Sequence, residues 1–318
     1  MKKVLFVLSM MLCVVLFSCS EKDDFVEVVK QEVKSDADRD SNKAWGDLRD
    51  AVYHLNNSGP YRPDFTRSRI GQFFTRLWGI IKRTVQADAE AALLTYEKTG
   101  TVECAIAGGA LGSIIHIIEK EKADSVAPSR LAACANYSMT NNPLNTGIPT
   151  FAGATILADS TGYLHNYIII DKYNANPAYF YSPSINTDSL LNSICGIFTA
   201  KKGGSQSSLY STIHSNTFLN SMFSTINSNI DNVHSAISQL PGVDTNSLNF
   251  VYNYIESISQ MTSNQLINTY TVSVLNQIQI SEITDSEKLA LKAGVLTAYA
   301  SMALWTEYYI MVGEFDDL

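Results

Sequence analysis

Residues 101–122 read TVECAIAGGALGSIIHIIEKEK, and the character of this stretch decides the fold. From Cys104 to Ile118 it carries no charge, and it is too long for a typical strand of about 4–8 residues. A helix here is apolar on every side, and such helices are buried in the centre of bundles. Cys104, Gly108, Gly112 and His116 are four apart, which places them on one helical face. A stripe of small residues lets a neighbouring helix approach closely. Glu103 and Glu119 bracket 15 residues, short of the roughly 20 that cross a bilayer. The expectation is a core helix seated on another helix.

The flanking segments carry the same period. Trp45, Leu48, Val52 and Leu55 recur at three and four, and Asn56-Asn57-Ser58-Gly59-Pro60 ends that helix. A longer helix starts near Thr66 or Ser68, with Ile70, Phe73, Phe74, Leu77, Ile81 and Val85 on one face, and runs toward Gly100. Thr284-Asp285-Ser286-Glu287 has the form of a capping box and launches a mostly apolar helix from Leu289 to Val312. Between Lys201 and Ser281 the polar faces carry Ser, Asn, Thr and Gln, while Phe218, Phe223, Ile226, Ile230, Val233 and Ile237 keep helical spacing. The poorest fits to helix are Leu144–Leu157 and Ala178–Pro183, the latter extended because a residue before proline avoids helix. The expected class is all-α: a multi-helix bundle over residues 44–318 with buried central helices and a short irregular or extended insert.

The first residues address the chain. Met1-Lys2-Lys3 precedes a 14-residue apolar run, Val4–Phe17, the layout of a secretory signal and too short for a spanning helix. Leu16-Phe17-Ser18-Cys19 resembles the bacterial lipobox, which implies cleavage after Ser18 and a diglyceride on the sulfur of Cys19. Ser20-Glu21-Lys22-Asp23-Asp24 resembles the acidic export signal of surface lipoproteins of Bacteroidota. That resemblance implies an outer-membrane anchor and display on the cell surface. Residues 20–43, with eight acids and five bases, are expected to form a flexible tether. Losing Lys2 and Lys3 takes the formal charge from −8 to −10, a poor balance for nucleic-acid binding. The expected partners are membrane lipid through Cys19 and a protein or glycan.

Chemistry-bearing motifs are sparse. G-x-S-x-G, S-x-x-K and H-E-x-x-H are all absent from the sequence. His116 with Glu119, and Asp231 with His234, stand at i, i+3, a spacing that faces imidazole and carboxylate on one helix side as in di-metal bundles. The further inward acids of such a site are not identifiable, so neither metal nor cofactor is expected. Cys104, Cys134 and Cys195 allow at most one disulfide and suit small buried apolar side chains. Gly162-Tyr163-Leu164-His165-Asn166 is similar to a run in uncharacterised secreted helical proteins. His165 and Asn166 are expected to satisfy backbone groups near a helix start or to orient a neighbouring loop, with a ligand role as the rival. Arg69, Arg76 and Arg83 fall within about 40° of each other on the second helix. They are either a solvated core border or a docking stripe for anionic headgroups or an acidic partner. Tyr163, Tyr167, Tyr173, Tyr179 and Tyr181 crowd one region, suited to sugar stacking or, more ordinarily, to helix packing. Function is expected to be that of a binding module, with a glycan or envelope-polymer hydrolase of dispersed residues as the rival. A pocket gathering His165, His116 or His234 with acids favours the enzyme; a grooved aromatic surface favours the binder.

Overall fold

The computed structural model describes residues 40–58, 61, 69–123, 160–181, 184–261 and 263–311. Cys19, Cys134 and the segment 144–157 lie outside the described residues, as does the signal and most of the tether. Among the described residues the chain is all-α, without strands. Helix α1 covers residues 40–57, so the last four residues of the tether stretch are helical. It is followed by α2 (Arg69–Thr99), α3 (Val102–Ala123), α4 (Thr161–Ala175) and a 3₁₀ turn (Pro177–Tyr181). Then come α5 (Thr187–Lys202), α6 (Gln206–His214), α7 (Thr217–Ser228), α8 (Val233–Ile237), α9 (Thr245–Ile258), α10 (Asn264–Ile280) and α11 (Asp285–Met311).

Helix α2 is the spine, packed along both α3 and α11, with α4 laid against α11 and α3. Gly100, at φ 68°, donates its N–H to Tyr96 O and turns the chain directly from α2 into α3. Only glycine adopts that left-handed geometry without strain. The two helices then run antiparallel, and the small-residue stripe of α3 faces α2. A Cβ on Gly112 would sit 2.7 Å from Ala91 Cβ and 3.0 Å from Ala87 O. The stripe is therefore a helix contact inside the core, as the spacing predicts.

Helices α3 and α11 each hold a stretch long and apolar enough to cross a membrane, and 83% of each such window is buried inside the fold. The acids bracketing α3 do not shorten it below that threshold, contrary to the count made from Glu103 and Glu119. The apolarity is accounted for by burial against α2 and α4. The capping box forms: Thr284 N–H donates to Glu287 Oε2 at 2.8 Å and Glu287 N–H to Thr284 Oγ1 at 3.2 Å. Trp45 Nε1–H reaches the other oxygen, Oε1, at 3.0 Å and docks α1 on the start of α11.

Two local expectations are corrected. Pro177–Tyr181 is a 3₁₀ turn and not extended, because each proline restricts only the residue before it, Asn176 and Ser182, and neither lies in the turn. Phe180 turns inward against Tyr173 instead. The run from Phe218 to Ile237 is two helices, broken at Asn229–Asn232, with Asn229 ending α7.

Candidate functional site

The sequence-predicted pair His165–Asn166 lies on α4 at the centre of the bundle, fully buried. Gly162 makes that position possible: a Cβ there would meet Leu296 O at 2.5 Å, so only glycine lets α4 lie this close to α11. Asn166 Nδ2–H donates to Ala300 O at 2.9 Å, and its Oδ1 accepts from His165 Nδ1 at 2.9 Å. His165 Nε2 then sits 3.6 Å from Asp88 Oδ2 on α2. That carboxyl oxygen also accepts from Ser301 Oγ and, at 3.0 Å, from Trp305 Nε1 on α11. The pair thus bonds across to another helix and does not cap its own.

Burial dominates this cluster electrostatically. It pushes Asp88 up to about 7 against the opposing bonds from Ser301 and Trp305. It pulls His165 down to about 4, with the bond to Asn166 acting the other way. Desolvation disfavours whichever form is charged, so burial pushes both groups toward their neutral forms. Asp88, His165, Asn166, Ser301 and Trp305 all have no exposure to solvent. This is a sealed polar joint that ties α2, α4 and α11 together.

Neither predicted i, i+3 pair forms. His116 is fully bonded in the core, Nδ1 to Thr84 Oγ1 at 3.1 Å and Nε2 to Ile230 O at 3.0 Å, and burial pulls it down to about 4. Glu119 pairs with Lys122 instead. Asp231 pairs with Arg83, and His234 with Glu90. In the arginine stripe, Arg76 and Arg83 are exposed, while the side chain of Arg69 lies outside the described residues. Arg83 thereby has an acid of its own fold, which a free docking stripe would lack. Among the tyrosines, Tyr173 is core, Tyr181 bonds Tyr308 through the hydroxyls, and Tyr163 stacks beside Tyr167. Cys104 and Cys195 are buried free thiols. Among the described residues no three His, Cys, Asp or Glu side chains converge to hold a metal.

The groups that do converge on an opening belong to α2, α8 and α9. A cleft of about 340 Å³ is lined by Trp78, Lys82, Arg83, His234, Tyr252 and Glu256, among others. His234 Nδ1 lies 2.7 Å from Glu90 Oε1, the imidazole donating to a carboxylate with no solvent exposure. Burial pushes Glu90 up, and the bond and charge of His234 draw it back. One face of the imidazole stacks on Tyr252 with centroids 4.0 Å apart. The ring retains 20% exposure, and Nε2 has no partner among the described residues. Lys82 pairs with Glu256 at 2.5 Å on the wall. Tyr252 is pushed up by burial and then by the Glu256 carboxylate.

A second cleft of about 560 Å³ lies between α1 and α9, lined by Arg49, Asp50, Tyr53, Asn56, Asn253 and Glu256, among others. Tyr53 is 65% exposed there. Sequence reasoning missed Glu90 and Asp88, although Ala87-Asp88-Ala89-Glu90-Ala91-Ala92 carries a signal. Acids flanked only by alanine in the middle of a long helix sit where neighbouring helices come close, and such acids need partners from elsewhere. Comparison with protein-family models, curated proteins and solved structures finds no match to this chain.

Proposed function

We propose that the chain is a surface lipoprotein, anchored in the outer membrane through lipid on Cys19, whose helical domain binds glycans. The observation carrying the binding site is that Glu256 lines both clefts. The proposed site joins them across that residue, as a groove from the exposed Tyr53 to His234. An elongated polar ligand finds along it a tyrosine, the amides of Asn56 and Asn253, and charged pairs that accept and donate hydrogen bonds. Sugars are held by such a mixture of aromatic contact and fixed polar groups. The lipobox-like run ending at Cys19 and the acidic run Ser20–Asp24 after it support display outside the cell, facing such polymers.

The test is binding of the full chain to an array of oligosaccharides, followed by titration calorimetry on the tightest. Tyr53→Ala and Asn253→Ala are expected to weaken that interaction at least tenfold while the fold is kept. Unchanged affinity in both variants would remove the groove as the site. For the anchor, Cys19→Ala is expected to shift the protein from the membrane to the soluble fraction; tight retention would contradict it.

A further inference from the structure

We propose that the His234 end of the groove is a hydrolytic centre for O-acyl esters, with His234 Nε2 as general base to an attacking water. This rests on the groove being the ligand site. Three features converge on the imidazole. Glu90, on α2, accepts a hydrogen bond from Nδ1–H, which favours the tautomer that leaves Nε2 a lone pair. Tyr252 stacks on the ring and fixes its plane. Nε2 is the ring nitrogen without a partner among the described residues, on a side chain that lines the cleft.

The chemistry follows from what surrounds it. Water adds to the ester carbonyl, forming the new C–O bond as Nε2 takes its proton. The tetrahedral oxyanion then collapses, the bond to the alkoxide breaks, and Nε2–H returns the proton to that leaving oxygen. The products are an acid and an alcohol, and the imidazole is neutral again. Lys82 and Arg83 line the same cleft; each gives one N–H to an acid, Glu256 and Asp231, and their remaining N–H groups are the donors assigned to the oxyanion. Ser235 also lines the cleft, but it follows His234 by about 100° on the helix and, among the described residues, no hydrogen bond joins its hydroxyl to the imidazole, so water is the nucleophile. Glycosidic cleavage would need two free carboxylates flanking the bond. Here Glu90 is sealed behind the imidazole, Glu256 is held by Lys82 and Asp231 by Arg83.

The experiment follows hydrolysis of p-nitrophenyl acetate by the full chain. A positioned general base contributes about 10²–10⁴-fold, so His234→Ala should lose at least tenfold of the rate above buffer. Added imidazole should restore part of it. Glu90→Gln should lower kcat with KM unchanged, and His214→Ala, an exposed histidine elsewhere, should change nothing. A wild-type rate equal to that of His234→Ala overturns the inference. If glycans still bind in that case, the binding reading stands alone. Ester hydrolysis that depends on His234 without glycan binding would keep the base and remove the glycan.

Discussion

His234 and Glu90 are 144 positions apart in sequence and 2.7 Å apart in the fold, Nδ1 to Oε1. The carboxylate belongs to the buried spine helix α2 and the imidazole to the one-turn helix α8 at the edge of a cleft. Interior and surface are joined through this contact.

The first prediction separates two effects of glycine on α-helices. Replacing glycine by alanine in a helix gains up to about 1 kcal/mol of propensity, whereas forcing a methyl into a packed contact costs about 1–3 kcal/mol. At Gly162 the added Cβ meets backbone, Leu296 O at 2.5 Å, so packing wins and Gly162→Ala should lower Tm. At Gly79 nothing lies within 4 Å, so Gly79→Ala should raise it. A Tm raised by Gly162→Ala would contradict the close packing of α4 on α11.

The second concerns pH. Asp88 is raised from 3.8 to about 7, so its contribution is present at low pH and lost as pH rises through that window. Asp88→Asn keeps an acceptor for Ser301 and Trp305 and deletes the titration. Relative to wild type, the variant should therefore gain stability from pH 4 to pH 7, at up to about 1.4 kcal/mol per unit. His165 and His116 act oppositely in both proteins, losing stability as pH falls from 6.5 toward 4. Denaturant melts at pH 4, 5.5 and 7 measure the difference. Parallel curves for the two proteins would show that the buried carboxyl does not hold a proton.

The third concerns the start of α11. Glu287 closes the capping box with one oxygen and accepts from Trp45 with the other. Glu287→Ala should cost about 1–2 kcal/mol, the scale of a lost cap with a hydrogen bond added. Trp45 fluorescence should shift as its Nε1–H loses the partner. An unchanged spectrum would mean that α1 does not dock there.

These features differ in how far the sequence discloses them. The core position of α3, its glycine contact with α2 and the Thr284 capping box depend on residues within a turn or two, and local spacing reveals them. The sealed joint does not, because Asp88 meets Ser301 across 213 positions. The expected Asp231–His234 pair fails for a local reason. Asp231 precedes α8 in the break at Asn229–Asn232, so i, i+3 helical geometry never applies to it. Each of the two residues then takes its partner from α2: Arg83 for Asp231, Glu90 for His234. Ala-flanked acids at 88 and 90 are the trace that sequence leaves of both contacts.

The fourth prediction concerns the surface ion pair itself. Arg83 and Asp231 are both exposed, and exposed pairs add little to stability. Arg83→Gln should leave Tm nearly unchanged but alter the salt dependence of ligand binding in the cleft. A large loss of Tm would instead give the pair a structural part in holding α8 on α2.

The central claim is that the protein meets its ligand at His234 and keeps His165 as sealed structure. Timed carbethoxylation with diethyl pyrocarbonate, read by peptide mass, tests it most directly, since the reagent acylates only an accessible, unprotonated ring nitrogen. His234 should react alongside the exposed His54 and His214, while His165 and His116 stay unmodified until the chain unfolds. The tightest oligosaccharide from the array should slow His234 alone. An unreactive His234, or one whose rate the oligosaccharide leaves unchanged, would contradict the account.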